Sequence, residues 1–147
     1  MWRLTEFAFV LLMMFTTACM NTKSAAGFRL PDGDVERGRA AFVELKCQTC
    51  HTVKGTDIPS PGADYAYVRV VVLGGEVRKI KTYGELVTSI INPSHVLAPG
   101  YPKELITRDG RSAMTDFNDK MTVRQLIDLV AFLQSRYELV LPEPATY

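Results

Sequence analysis

The chain is poor in the residues from which metal and redox centres are usually assembled. Its 147 residues include 3 cysteines, 2 histidines and 1 tryptophan. Three cysteines do not make the disulfide framework of a small secreted scaffold, and one is left over once a pair is used. A closed structural zinc site needs four ligands. Beyond Cys47, Cys50 and His51 the chain offers only Cys19 and His95, which disfavours zinc. An excess of one charge is also missing: 17 Lys and Arg face 16 Asp and Glu, a net +1, so nothing points to a nucleic-acid partner. The Ser, Asp and His residues show no recognisable nucleophile pattern. No long hydrophobic run is present either, because the stretch Phe7 to Phe15 falls short of the roughly 20 residues of a membrane span.

That short run has another reading. In MWRLTEFAFVLLMMFTTAC, Arg3 precedes the apolar stretch and small residues lead into Cys19, the order of an export signal. The segment resembles a bacterial lipoprotein signal, with Thr16, Thr17 and Ala18 ahead of the cysteine that would be acylated. Residues 1–18 are thus expected to be a cleaved signal and Cys19 a lipidation site, which accounts for the odd cysteine. Ordinary cleavage nearby, or an uncleaved anchor, are the alternatives. Residues 19–32 read as a small, polar tether. Residues 33–141 suffice for one domain with a real core, and 142–147 form a proline-broken tail.

Within the domain, KCQTCHTVKG places Cys47 and Cys50 three apart with His51 behind them. The preceding stretch has Asp34 as a candidate N-cap and Val35, Ala41, Phe42 and Leu45 at helical spacing, so the cysteines follow a helix. A thioredoxin-like pair instead opens a helix after a strand. Cys-x-x-Cys-His is the attachment signature of c-type haem. Two thiols so spaced can add to the two vinyl groups of one porphyrin edge, and His51 is then held to reach the iron from one face. Covalent attachment also suits an exported protein, which would lose a dissociable haem.

On these residues the chain resembles the bacterial class I cytochrome c family. The resemblance implies a mostly α fold, a helical domain around one covalent haem whose final helix crosses the first. It matches Gly38 and Phe42 to the small and aromatic positions of the first helix, and Phe132 to the aromatic of the last. It also implies a haem iron held by His51 and by a methionine shortly before the final helix. Met114, with Phe117 three residues later, fits that place, and Met121 and His95 remain as alternatives. A ligating histidine normally donates its other ring proton to a carbonyl or carboxylate. In the family this is often a proline carbonyl downstream, for which Pro59 and Pro61 are the candidates.

The final helix is marked by a capping box, Thr122 with Gln125, and by a staple of Met121 on Leu126. Its apolar face runs to about Tyr137. A second capping box, Thr82 with Glu85, opens a helix that ends before Pro93. Between these features YAYVRVVVLGGEVRKIKTYG has two strand-like runs about Gly74-Gly75 and reads as a β-hairpin insertion. Its Arg69, Arg78, Lys79 and Lys81 form a candidate docking surface for an acidic partner, or simply a solvated face. The expected function is a periplasmic, membrane-tethered monohaem carrier. It would pass single electrons between redox proteins of a respiratory chain, such as an oxidase, reductase or dehydrogenase. The alternative is a haem-based sensor of small ligands, or the haem subunit of a periplasmic oxidoreductase complex.

Overall fold

The structure is a computed structural model, and it describes residues 30–59, 71–78 and 82–140. All but Leu30 of these fall in the compact unit Pro31–Tyr147, one of two into which the chain divides. The signal, Cys19, Pro61, Arg69, Lys79, Lys81 and residues 142–147 lie outside the described residues. No described helix is long and apolar enough to cross a membrane.

Helix α1, Val35–Glu44, begins where Asp34 accepts the Arg37 N–H on its carboxylate, as its N-cap position predicts. It buries Gly38, Ala41 and Phe42. Those residues pack on α4, Val123–Gln134, whose start is fixed by the expected capping box of Thr122 and Gln125. Gly38 lets the two backbones approach: a Cβ there would lie 2.6 Å from the Asp128 carbonyl carbon and 2.7 Å from Phe132 Cβ. Phe42 and Phe132, each 1 % exposed, meet edge to face with centroids 5.8 Å apart. Offset or edge contacts of this kind are the preferred ring geometry. The contact expected among Gly38, Phe42 and Phe132 is therefore present.

Asp128, only 2 % exposed, tightens this crossing in a way no periodicity announced. Its carboxylate accepts the Asp34 N–H at 2.8 Å and the Arg37 guanidinium at 2.9 and 3.1 Å. The acid on α4 thus satisfies a backbone donor at the entrance to α1, where the helix has no partner of its own. The Arg37 hydrogen bonds and then the Asp34 amide hold the Asp128 carboxyl below the usual carboxylate range.

Helix α2, Tyr83–Ile91, carries the Thr82–Glu85 capping box and lays Leu86, Val87 and Ile90 into the same core. The short helix α3, Lys103–Ile106, leads into an antiparallel pair, β4 (Thr107–Arg108) and β5 (Arg111–Ser112). Asp109 and Gly110 turn between them with positive φ of 50° and 74°.

The middle of the chain departs from the hairpin reading. Strand β2, Val71–Leu73, pairs in parallel with β1, His51–Val53. Strand β3, Gly75–Val77, pairs in parallel with β6, Tyr137–Leu139. The two runs flanking Gly74-Gly75 therefore do not pair with each other over the described residues. Both glycines do adopt positive φ, 75° and 83°, but the chain uses that freedom to pass over the end of α4. There the Gly75 N–H donates to the Arg136 carbonyl at 2.7 Å. A Cβ on Gly74 would meet that same carbonyl at 2.9 Å. Non-local partners satisfy the backbone groups that a local hairpin would have used. The final helix likewise stops earlier than its apolar pattern, at Gln134, and Tyr137 opens β6 instead.

Candidate functional site

The Cys-x-x-Cys-His segment is positioned by the end of α1. Leu45 caps the helix, and Lys46 then turns the chain in the left-handed region, φ 57°. Cys47–Thr49 form a single 3-10 turn, closed by Thr49 N–H to the Lys46 carbonyl at 3.1 Å and Cys50 N–H to the Cys47 carbonyl at 3.2 Å. The Thr49 hydroxyl donates to the Lys46 carbonyl at 2.8 Å. Both cysteines are thus carried on one tight, hydrogen-bonded loop. Burial pushes the Cys47 thiol up to about 11, so it stays protonated near neutrality.

His51 opens β1, and its partner Val71 bonds both to Cys50 and to the His51 ring. The Val71 N–H donates to the Cys50 carbonyl at 2.9 Å, and the Val71 carbonyl lies 3.2 Å from His51 Nδ1. A carbonyl can only accept, so Nδ1 carries the proton and Nε2 keeps its lone pair. Burial lowers the His51 pKa, opposed by the bond to Val71. The neutral imidazole is the form that coordinates a metal. Val71 thus takes the role assigned from the resemblance to Pro59 or Pro61. Pro59 is exposed, and Pro61 lies outside the described residues.

Cys47 and His51 line an apolar cavity between the helices. Phe42 of α1 and its C-cap Leu45 form one part of its wall, Leu86 and Ile90 of α2 another, and Leu129 and Leu133 of α4 a third. Leu73 of β2 and Tyr137 of β6 complete it together with Met114, Phe117 and Met121 from the segment before α4. Met121, assigned to a staple from the sequence, is therefore also a wall of the cavity. His95 is exposed and does not line it. Arg78 is exposed as well.

The residue set fits a haem. Among the described residues no lining side chain carries a full charge, and the polar ones reduce to Ser89, Tyr137 and His51, an environment suited to a flat apolar macrocycle. The donors on the wall are the Cys47 thiol, an imidazole with its outer nitrogen already satisfied, and two thioethers, and the Cys50 thiol stands at the end of the same turn as Cys47. Among the described residues no cluster of three or more His, Cys, Asp and Glu could hold a bare metal ion. A separate polar cleft, lined in part by Glu36, Arg39, Asp57 and Arg136, contains no cysteine, histidine or methionine among the described residues.

Sequence reasoning missed Val71, Leu73 and Tyr137. The first two reach the site through parallel pairing, which leaves no local pattern. Tyr137 did carry a signal, since it stands at the end of the α4 apolar stripe.

A helical domain closed around a Cys-x-x-Cys-His turn defines the class, and residues 35–136 match the family described as Cytochrome c. The chain belongs to the cytochrome c family. Its cofactor is haem c, covalently bound, with Cys47 and Cys50 in the attachment position. The activity of the class is haem-based electron transfer, and its partners are redox proteins. No curated protein and no solved structure was found to match the chain.

Proposed function

We propose that the protein is a monohaem electron carrier on the periplasmic side of a bacterial membrane, in which His51 and Met114 would hold the haem iron. The observation that carries this reading is the pairing of His51, whose Nδ1 is committed to Val71, with a thioether in the wall of the same apolar cavity. When bound, the haem iron supplies the one-electron chemistry. The protein holds Nε2 of His51 in place through Val71 and lines the cavity with Phe42, Leu86 and Leu129 against water, and the Met114 thioether would be the second protein ligand. Methionine ligation raises the reduction potential relative to two histidines.

Met114 is favoured over Met121 by its place before the last helix with Phe117 three residues on, and its loop is held by hydrogen bonds. The Met114 N–H donates to the Ser112 hydroxyl at 3.2 Å, and the Ser112 N–H to the Ser94 hydroxyl at 3.1 Å. Export and lipid anchoring at Cys19 belong to the same proposal and are supported by the N-terminal apolar run and the odd cysteine. The electron donor and acceptor would be an oxidase, reductase or dehydrogenase of a respiratory chain.

The test is spectroscopic. The oxidised protein should show a sulfur-to-iron charge-transfer band in the far red, and the reduced protein should bind carbon monoxide poorly. Met114→Ala should abolish the band and open the site. Met121→Ala should keep the band and cost about 1 to 3 kcal/mol of stability through lost packing, and His95→Ala should leave the spectrum unchanged. A band that survives Met114→Ala reassigns the ligand. Ready carbon monoxide binding by the wild type replaces the carrier with a ligand sensor or a haem subunit with an open iron.

A further inference from the structure

Tyr101 does not line the cavity, yet its hydroxyl oxygen accepts the Val72 N–H at 3.1 Å. The Val72 N–H and the Val71 C=O belong to one peptide group. The oxygen of that group is the acceptor for Nδ1 of His51, at 3.2 Å. Three groups therefore lie in series: imidazole N–H, peptide, phenol.

We propose that Tyr101 is a positioning residue for His51: through the Val71–Val72 peptide it strengthens the hydrogen bond on the imidazole and lowers the reduction potential of the iron. The proposal rests on His51 being the proximal ligand. An amide whose N–H donates to an acceptor is polarised, and its carbonyl becomes a better acceptor, by about 10–30 % per bond in such chains. A better acceptor draws the Nδ1 proton outward and makes Nε2 a stronger donor to the metal. Stronger donation favours the ferric state, so the potential falls.

The surroundings explain why a side chain is used here. Successive residues of a strand turn their backbone groups to opposite edges. Val71 turns toward β1, where its N–H meets the Cys50 carbonyl, so Val72 turns to the edge that β1 does not cover. Val72 is 46 % exposed, and water there would be a mobile substitute. Tyr101 stands between Gly100, at φ 82°, and Pro102, the N-cap of α3, and its hydroxyl meets that edge at the Val72 N–H.

The experiment is Tyr101→Phe in the haem-loaded protein, which keeps the ring and removes only the hydroxyl. The potential is measured by spectroelectrochemical titration. Proton NMR follows the His51 ring, the Val72 amide and the Met114 methyl. The expected result is a higher potential, a shifted Val72 amide and severalfold faster deuterium exchange at His51 Nδ1–H, with the Met114 methyl and the far-red band unmoved. A merely structural tyrosine would not move the His51 ring signals selectively. An unchanged potential overturns the proposal, as does a shift that follows the Met114 methyl while the His51 ring stays constant. A wild-type protein whose haem is not ligated by His51 overturns both this inference and the proposed carrier. A His51-ligated wild type indistinguishable from Tyr101→Phe overturns this inference alone.

Discussion

Replacing Gly38 by alanine sets helix propensity against packing, and the two predict opposite signs. Within a helix alanine is favoured over glycine by about 1 kcal/mol. Gly38 lies within α1 and has no positive φ, so by propensity alone the change should stabilise. The structure says otherwise. The new methyl would stand 2.6 Å from the Asp128 carbonyl carbon and 2.7 Å from Phe132 Cβ, closer than such contacts occur. Both belong to the α4 backbone or its first side-chain atom and cannot rotate away. The helices must separate, which costs about 3 kcal/mol at the upper end of overpacking. Parting the Phe42–Phe132 edge contact costs about 1 kcal/mol more. Set against the propensity gain, the net loss is about 3 kcal/mol. Urea unfolding of the haem-loaded protein, followed by far-ultraviolet circular dichroism, measures it. Gly84→Ala is the control. Gly84 lies in α2 with no atom of the described residues near its missing Cβ, so this change should stabilise by about 0.5 kcal/mol. A Gly38→Ala protein as stable as the wild type would refute the close-approach argument.

Asp128 predicts a pH dependence. Its folded pKa is depressed, first by the Arg37 hydrogen bonds, so its contribution is present above the unfolded carboxylate value and is lost as pH falls through the folded one. Asp128→Asn should be less stable at neutral pH and should flatten the acid side of the stability profile, read by denaturant titration across pH. For the N-terminus, labelled fatty acid should enter the native protein and not Cys19→Ala. Equal membrane retention of both forms without label would instead make the segment an uncleaved helix or an ordinary signal.

The parts of the fold legible in the sequence were those set by neighbours along the chain. Asp34, Thr82 and Thr122 act within three residues of themselves, and the structure shows each capping its helix. Cys47, Cys50 and His51 were legible because their chemistry depends on spacing alone. Gly74-Gly75 misled for the opposite reason. A Gly-Gly pair licenses a turn but does not choose the partners of the flanking strands, and β1 and β6 took them. The hairpin that does form, about Asp109-Gly110, carried the Asp-Gly signal in plain view. Val71 illustrates the limit: its role at His51 is played by a backbone carbonyl, which every residue possesses. Asp128 illustrates another, since an acid on an apolar helix face is recognisable as a clasp only once Asp34 and Arg37 are seen beside it.

That clasp joins Asp34 to Asp128, positions 94 apart in the chain. The entropy of closing so long a loop grows only with the logarithm of its length, by about 0.6 kcal/mol for each doubling. Ten or twenty residues added or removed between the two ends would therefore hardly change the free energy of bringing them together. The α1–α4 crossing can therefore stay fixed while loops between its two ends change in length. The residues that line the cavity, from Cys47 to Met121, do not share that freedom, because each must still reach the wall it forms.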